Sequence, residues 1–351
     1  MIASLSGCSA FSYYSQATRG HLAIIAKRQA IAKVLEDPDV SPQVKTKLEL
    51  VRQIRAFASN KLALPDNDSY LSYVDIKQRY VVWNVFATPD LSLQPVESCF
   101  LVVGCLSYRG YYSEADAQNF AAKLRAAGYD VYVGGVAAYS TLGWFDDPVL
   151  NTMLYWDDRR LARLIFHELT HQLLYVKNDA LFNESFATNF AEIGLEQWLE
   201  ANGPETPNEP DAAAEREREI DFLSMIKQTR QQLASIYDAT HDEPSKRKLK
   251  TAAFRQLQQD YLAFKARWDG YSGYDEWMTK DMNNAKVSSV VTYHSYDKAF
   301  RHLLNQAGGD LNLFVDKVRV IAALDETARH RCLHMLNTDE HYQCEILGTS
   351  K

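Results

Sequence analysis

Leu161-Ala162-Arg163-Leu164-Ile165-Phe166-His167-Glu168-Leu169-Thr170-His171-Gln172-Leu173-Leu174 is the stretch from which the rest of the chain is read. Its apolar residues recur at helical spacing, so residues 158–176 are expected to form an amphipathic helix with a buried face. Positions four apart project from one side of a helix. His167 and His171 can therefore bind one metal ion, and Zn2+ takes imidazole nitrogen at about 2.0–2.1 Å. Glu168, the residue after the first imidazole, is placed to take a proton from a water on that metal. A buried helix bearing His, Glu and His without a cation would strand polar groups at a cost on the order of a few kcal/mol.

A catalytic zinc needs a third protein ligand and keeps one position open. A third His six residues past His171 is absent, because that position is Lys177. The remaining option is a carboxylate from the next helix. Asn183-Glu184-Ser185-Phe186-Ala187 opens a second amphipathic helix, 183–200, after a turn at Lys177-Asn178-Asp179. Glu184 in its first turn would face back toward the metal, while Phe186, Phe190, Ile193 and Trp198 pack the other face. Glu184 is the expected third ligand, with Asp179 and Glu192 as alternatives.

The chain has 351 residues, 46% hydrophobic and 24% charged. That suffices for one large or two ordinary domains with a real core, and it excludes disordered and fibrous classes. The net charge of -7 argues against nucleic acid, whose binders need a basic stripe. No apolar run approaches the roughly 20 residues of a membrane-spanning helix. Five cysteines, Cys8, Cys99, Cys105, Cys332 and Cys344, leave one over after pairing. Leu5-Ser6-Gly7-Cys8 resembles the lipobox of bacterial lipoproteins, in which the cysteine is lipidated. In the oxidising compartment this implies, short spacings suggest Cys99 with Cys105 and Cys332 with Cys344, one of three possible pairings. His330, Cys332, His334, His341 and Cys344 match no standard zinc spacing, so a disulfide with surface histidines is the expectation there.

Working outward, residues 16–62 read as helix, turn, helix, broken at Asp37-Pro38-Asp39 and Ser41-Pro42. Residues 80–86, 99–103 and 130–136 read as strands, and Ser113 to Ala127 as a helix stopped by Gly128, giving a strand-helix-strand unit. Residues 212–238 and 245–268 read as an exposed, charge-laced helical hairpin, and 273–307 and 310–336 as further helices. The expected fold class is α+β, predominantly helical, with a small mixed β-sheet preceding the helix of the His-Glu-Leu-Thr-His motif. The expected organisation is a tether over 1–15, helices and sheet over 16–150, and a helical metal-binding part over 151–351, with the hairpin at about 212–268.

Attack by a metal-bound water on a carbonyl also needs a donor for the developing oxyanion. Val291-Thr292-Tyr293-His294-Ser295-Tyr296 offers Tyr293 first and His294 second. Arg109, with Tyr111 and Tyr112, is expected to follow the C-terminal end of a strand, where sites on sheets form. Asp146, Asp147 and Glu114 are acidic candidates for contact with a substrate, and nothing in the sequence chooses among them.

The two motifs together resemble the gluzincin metallopeptidases, in which two His and a downstream Glu bind zinc. More closely, the chain is similar to a bacterial family of predicted aminopeptidases, zinc lipoproteins of Gram-negative cells. The residues that carry this are Cys8 with Tyr13-Tyr14, Tyr108-Arg109-Gly110-Tyr111-Tyr112, Tyr139 to Pro148, the zinc motif, Asn183 to Ala187, and Asn283-Asn284-Ala285. The resemblance implies a zincin-like fold, one Zn2+, a peptide substrate and cleavage at free N-termini. It also implies attachment through lipidated Cys8 at the periplasmic face of a Gram-negative membrane, the outer one. Gluzincins pair substrate with an edge strand before the zinc helix, a role that Ala138 to Gly143 would take by chain order. An endopeptidase, a non-catalytic envelope lipoprotein with a structural zinc, and a metal-dependent hydrolase of another substrate are the rival readings.

Overall fold

The computed structural model describes residues 6–100, 104–138, 141, 145–203, 212–290, 296–339, 342 and 344. In chain order the elements begin α1 (Ser6–Ile25), β1 (Gln29–Ala30), α2 (Ile31–Glu36), α3 (Pro42–Lys61), β2 (Ser72–Val74), β3 (Val82–Pro89), β4 (Ser98–Phe100), β5 (Gly104–Leu106), β6 (Tyr108–Tyr111), α4 (Glu114–Ala126), β7 (Tyr129–Val136) and β8 (Val149–Leu150). Helices follow: α5 (Asp158–Leu173), α6 (Ala180–Asn202), α7 (Ala212–Asp238), α8 (Glu243–Arg267), α9 (Asp275–Thr279), α10 (Asn284–Ser288), α11 (Asp297–Gln306), α12 (Leu311–Ala322) and α13 (Glu326–Thr338). The chain is therefore predominantly helical with small sheets.

Two compact units interleave along the chain. The first comprises Met1–Val81, Ala137–Glu205 and Tyr293–Lys351; the second comprises Val82–Val136 and Thr206–Thr292. The chain thus leaves the first unit twice and returns to it, and a sequence-order cut near residue 150 falls inside that unit.

In the first unit, α5 and α6 form the centre. Asp157 caps α5 by accepting from the Arg160 backbone N–H at 2.8 Å, satisfying a donor that the helix itself leaves open. Leu161, Ile165, Phe166 and Leu169 are fully buried on α5, as are Phe182, Phe186 and Phe190 on α6. Phe186 packs against Phe300 of α11 and Phe314 of α12, with ring centroids 5.6 and 6.2 Å apart. A three-stranded sheet joins β1 and β2 antiparallel and β2 and β8 parallel.

In the second unit, β3 is the middle strand, antiparallel to both β6 and β7. The strand-helix-strand unit is therefore β6-α4-β7, with β3 between its two strands. Two expectations change here. The strand expected over 99–103 contributes Ser98–Phe100 to a hairpin with Gly104–Leu106 instead of to this sheet; its residues 101–103 lie outside the described residues. Tyr108–Tyr111, expected to follow a strand as a loop, is itself the strand that pairs with β3. The α7-α8 hairpin is present and has its own core, which includes Phe222, Ile226, Leu233, Phe254, Leu257 and Tyr261. Lys250 on α8 bridges Asp90 and Asp130 at 2.6 and 2.7 Å, tying hairpin to sheet within this unit.

Disulfides join Cys99 to Cys105 and Cys332 to Cys344. Among the described residues no helix is long and apolar enough to cross a membrane.

Candidate metal centre

The helical spacing of His167 and His171 does what geometry demands of it. Their Nε2 atoms lie 3.1 Å apart with the ring planes at 87°. Glu184 on α6 completes a triangle, with Oε2 3.4 Å from His167 Nε2 and Oε1 3.7 Å from His171 Nε2. One ligand atom from each of the three lies within 4.8 Å of the other two, and all belong to the first unit. Side-chain exposures are 17% for His167, 7% for His171 and 23% for Glu184, so the centre is mostly but not wholly buried.

The electrostatics follow from this contact. Burial opposes ionisation of Glu184, but His171 and His167 outweigh it and hold the carboxyl far below the usual carboxylate range. Burial likewise opposes a charged His171, and the attraction of Glu184, with a smaller contribution from Glu168, pushes it above its ordinary value. Three groups sharing charge in this way present two nitrogens and a carboxylate to a cation.

The approach of α6 is set locally. Asp179 caps it, accepting from the Phe182 N–H at 2.9 Å. Asn183 closes the α5-α6 link on itself: its Oδ1 accepts from the Val176 N–H at 2.8 Å and its Nδ2 donates to the Val176 carbonyl at 2.7 Å. Asn178 takes the turn with φ of 65°, a left-handed conformation that Asn tolerates. The helix consequently starts at Ala180, three residues before the expected start. The two alternative ligands have other partners. Asp179 is engaged by Arg329 and His330, and Glu192 pairs with Arg163 at 2.8 Å.

On the opposite side of α5, Gln172 accepts from Asn67 Nδ2 at 2.8 Å and donates to Ser69 Oγ at 3.2 Å. Buried Arg55 organises that loop by donating to the carbonyls of Ser69, Pro65 and Asn67. None of Arg55, Asn67, Ser69, Gln172 or Asn183 stands out in the sequence, since most of their partners are backbone atoms or residues about 100 positions away. Asp179 carries a signal, being an Asp directly ahead of the apolar run Ala180-Leu181-Phe182.

The other expected site residues fall as follows. Glu168 is half-buried beside His167. Arg109 and Tyr111 lie on β6 in the second unit; the Arg109 guanidinium sits 5.7 Å from the Tyr111 ring and 4.9 Å from that of Phe120. Asp147 is buried, its Oδ2 accepting from the Thr141 N–H at 3.0 Å. Asp146 is exposed, with its carbonyl accepting from Arg28 at 2.8 Å. Glu114 is exposed in the first turn of α4. Gly143, Tyr293 and His294 lie outside the described residues, as do most of the expected edge strand 138–143 and the side chain of Cys8. Ala138 and Thr141 lie outside any sheet. His330, once a conceivable metal ligand, instead bonds Tyr296 and Asp179.

No curated protein and no solved structure matches the chain. The sequence model of the family described as "Putative aminopeptidase" matches residues 12–333, and the chain belongs to that family.

Proposed function

We propose that the chain is a zinc-dependent aminopeptidase of zincin-like fold, with one Zn2+ held by His167, His171 and Glu184. The observation that carries this is the ligand triangle. Tetrahedral zinc with bonds of about 2.1 Å spaces its ligand atoms about 3.4 Å apart. Here the two imidazole nitrogens are 3.1 Å apart, and the carboxylate lies 3.4 Å from His167 through one oxygen and 3.7 Å from His171 through the other. Family membership supports the peptidase part of the reading.

Bound zinc supplies Lewis acidity to the scissile carbonyl and to the attacking water, whose pKa falls toward about 7. Glu168 accepts the proton of that water and delivers it to the departing amine. The proposed oxyanion donor is Tyr293, then His294. Asp146, exposed where Asp147 is tied to backbone, is the proposed partner of the substrate's α-ammonium. Gly143 is the remaining proposed substrate contact in the first unit; Arg109 and Tyr111 belong to the second. Cys8, the cysteine outside the two disulfides, is the proposed lipid attachment that holds the protein at the periplasmic face of the outer membrane.

The test pairs metal analysis with hydrolysis of aminoacyl-anilides and N-blocked peptides. Glu168→Gln is expected to retain zinc and lose hydrolysis, His171→Ala to lose both, and N-blocked peptides to survive. Full activity in Glu168→Gln overturns the mechanism, and cleavage of blocked peptides makes the enzyme an endopeptidase.

A further inference from the structure

Glu184 must be aimed to within about 0.5 Å for a metal site to form. Its carboxylate meets the two imidazoles and lies close enough to Tyr175 to add to the burial that pushes that hydroxyl's pKa up. The helix that carries it is the object to be fixed. Its N-cap, Asp179, is 2% exposed at the side chain and is used completely. Oδ1 accepts from the Phe182 N–H, and the backbone carbonyl accepts from the Asn183 N–H at 3.1 Å. Oδ2 accepts from Arg329 Nε at 2.7 Å and lies 3.1 Å from His330 Nε2.

Arg329, on α13, is itself 6% exposed. Its Nη1 donates to the carbonyls of Ala322 and Leu324 at 2.8 and 2.7 Å, where α12 ends, and its guanidinium lies 5.6 Å from the ring of Phe182. His330 passes the network on: its Nδ1 lies 2.8 Å from the hydroxyl of Tyr296, the residue before α11. The start of α6 is thus held to α11, α12 and α13, and Glu184 follows five residues on, about 7.5 Å along the axis. Because the link from α5 has a fixed number of residues, starting α6 one residue later would turn Glu184 by about 100° away from the imidazoles.

We propose that Asp179, held by Arg329 and His330, is the positioning element that aims Glu184, so that its loss weakens metal binding beyond any effect on folding. The inference rests on the zinc reading above. It goes beyond that reading by assigning metal affinity to residues that touch neither metal nor substrate.

The test measures zinc affinity of the full chain by competition with a chromogenic chelator. Asp179→Asn with Arg329→Met keeps the cap acceptor and removes both charges together. The control is Glu196→Gln with Arg301→Met, which removes another ion pair between α6 and α11, with Arg301 2.5 and 2.8 Å from Glu196, far from Glu184. The first pair of substitutions is expected to weaken zinc about 10-fold or more, the range seen when outer-shell partners of a site are lost, and the control to stay within about 2-fold. Equal effects of the two, or none in the first, overturn the proposal. If the first variant does not melt cooperatively, His330→Ala removes one partner alone; about 3-fold weaker zinc is expected, and unchanged affinity overturns the proposal. Failure of the unmodified chain to bind zinc defeats the metal reading and this inference with it. Binding by the unmodified chain and by every variant alike defeats the inference alone.

Discussion

Glu184→Gln in the metal-free protein tests the electrostatics of the centre without assuming any chemistry. In the unmodified chain burial disfavours both charged forms, yet Glu184 is held below its ordinary 4.5 and His171 above its ordinary 6.5. A depressed carboxyl contributes stability that is complete above its unfolded value and is lost as pH falls through the folded one; a raised imidazole contributes below its unfolded value and loses this as pH rises through the folded one. The pair's contribution is therefore complete between pH 4.5 and 6.5. At separations of 3.4 and 3.7 Å and an effective dielectric of about 20, unit charges attract by about 4–5 kcal/mol. Desolvation, and the 23% of the Glu184 side chain open to water, offset much of that and leave about 2 kcal/mol. In the Gln variant the largest remaining influence on His171 is burial, so its shift reverses to below 6.5. Calorimetric melts of both proteins with chelator from about pH 5 to about pH 9 should show a gap of about 4–8 °C near pH 5.5. That gap should narrow as pH rises above 6.5. A gap that is flat across this range, or that widens above pH 6.5, refutes the reasoning.

Glu192→Gln should leave zinc content unchanged and shift stability by less than about 1 kcal/mol in urea melts, since its pair with Arg163 is over a quarter exposed at both ends. Gly194→Ala would place a Cβ 2.8 Å from Leu62 Cδ1 and 3.0 Å from Phe166 Cδ2, beside His167. Overpacking of about 1–3 kcal/mol should exceed the gain in helix propensity of about 1 kcal/mol, so denaturant melts should show net destabilisation. Arg55→Met should cost about 3 kcal/mol by stranding the carbonyls of Ser69, Pro65 and Asn67. It should also raise amide hydrogen exchange in residues 65–70 more than in α8.

What was legible in the sequence was local. His167, Glu168 and His171 are fixed by one helical repeat, and Glu184 by its place in the first turns of the next helix, so both motifs could be placed before any tertiary contact was known. Tyr108–Tyr111 was not legible as a strand, because Tyr-Arg-Gly-Tyr has no apolar alternation and its pairing with Trp83 to Phe86 exists only in three dimensions. The charges of α7 and α8 read as a solvated hairpin and mask the stripe Phe222, Met225, Ile226, Thr229 and Leu233, which is buried at helical spacing. The interleaving of the two units leaves a local mark at one of its four crossings, the proline-bearing stretch Pro204 to Pro210 around Glu205 and Thr206; nothing at Val81, Ala137 or Tyr293 tells the chain that it is crossing from one core to the other.

The arrangement of charge along α6 bears on the metal independently of distances. Glu192 and Glu196 each meet an arginine, Arg163 at 2.8 Å and Arg301 at 2.5 Å. Glu184, a few turns earlier on the same helix, meets two imidazoles instead. Arginine is charged at every accessible pH, so those two pairs are closed. His171 gives up its charge as pH rises through its raised value while Glu184 stays ionised, so the pair tends toward net negative as pH rises. The divalent cation proposed above would restore the balance, and it would do so best where His171 gives up its proton to free Nε2. Zinc affinity should therefore rise through neutrality while the metal-free pair loses its hold. These opposite trends at one pair of residues distinguish a cation site from a salt bridge that merely joins two helices.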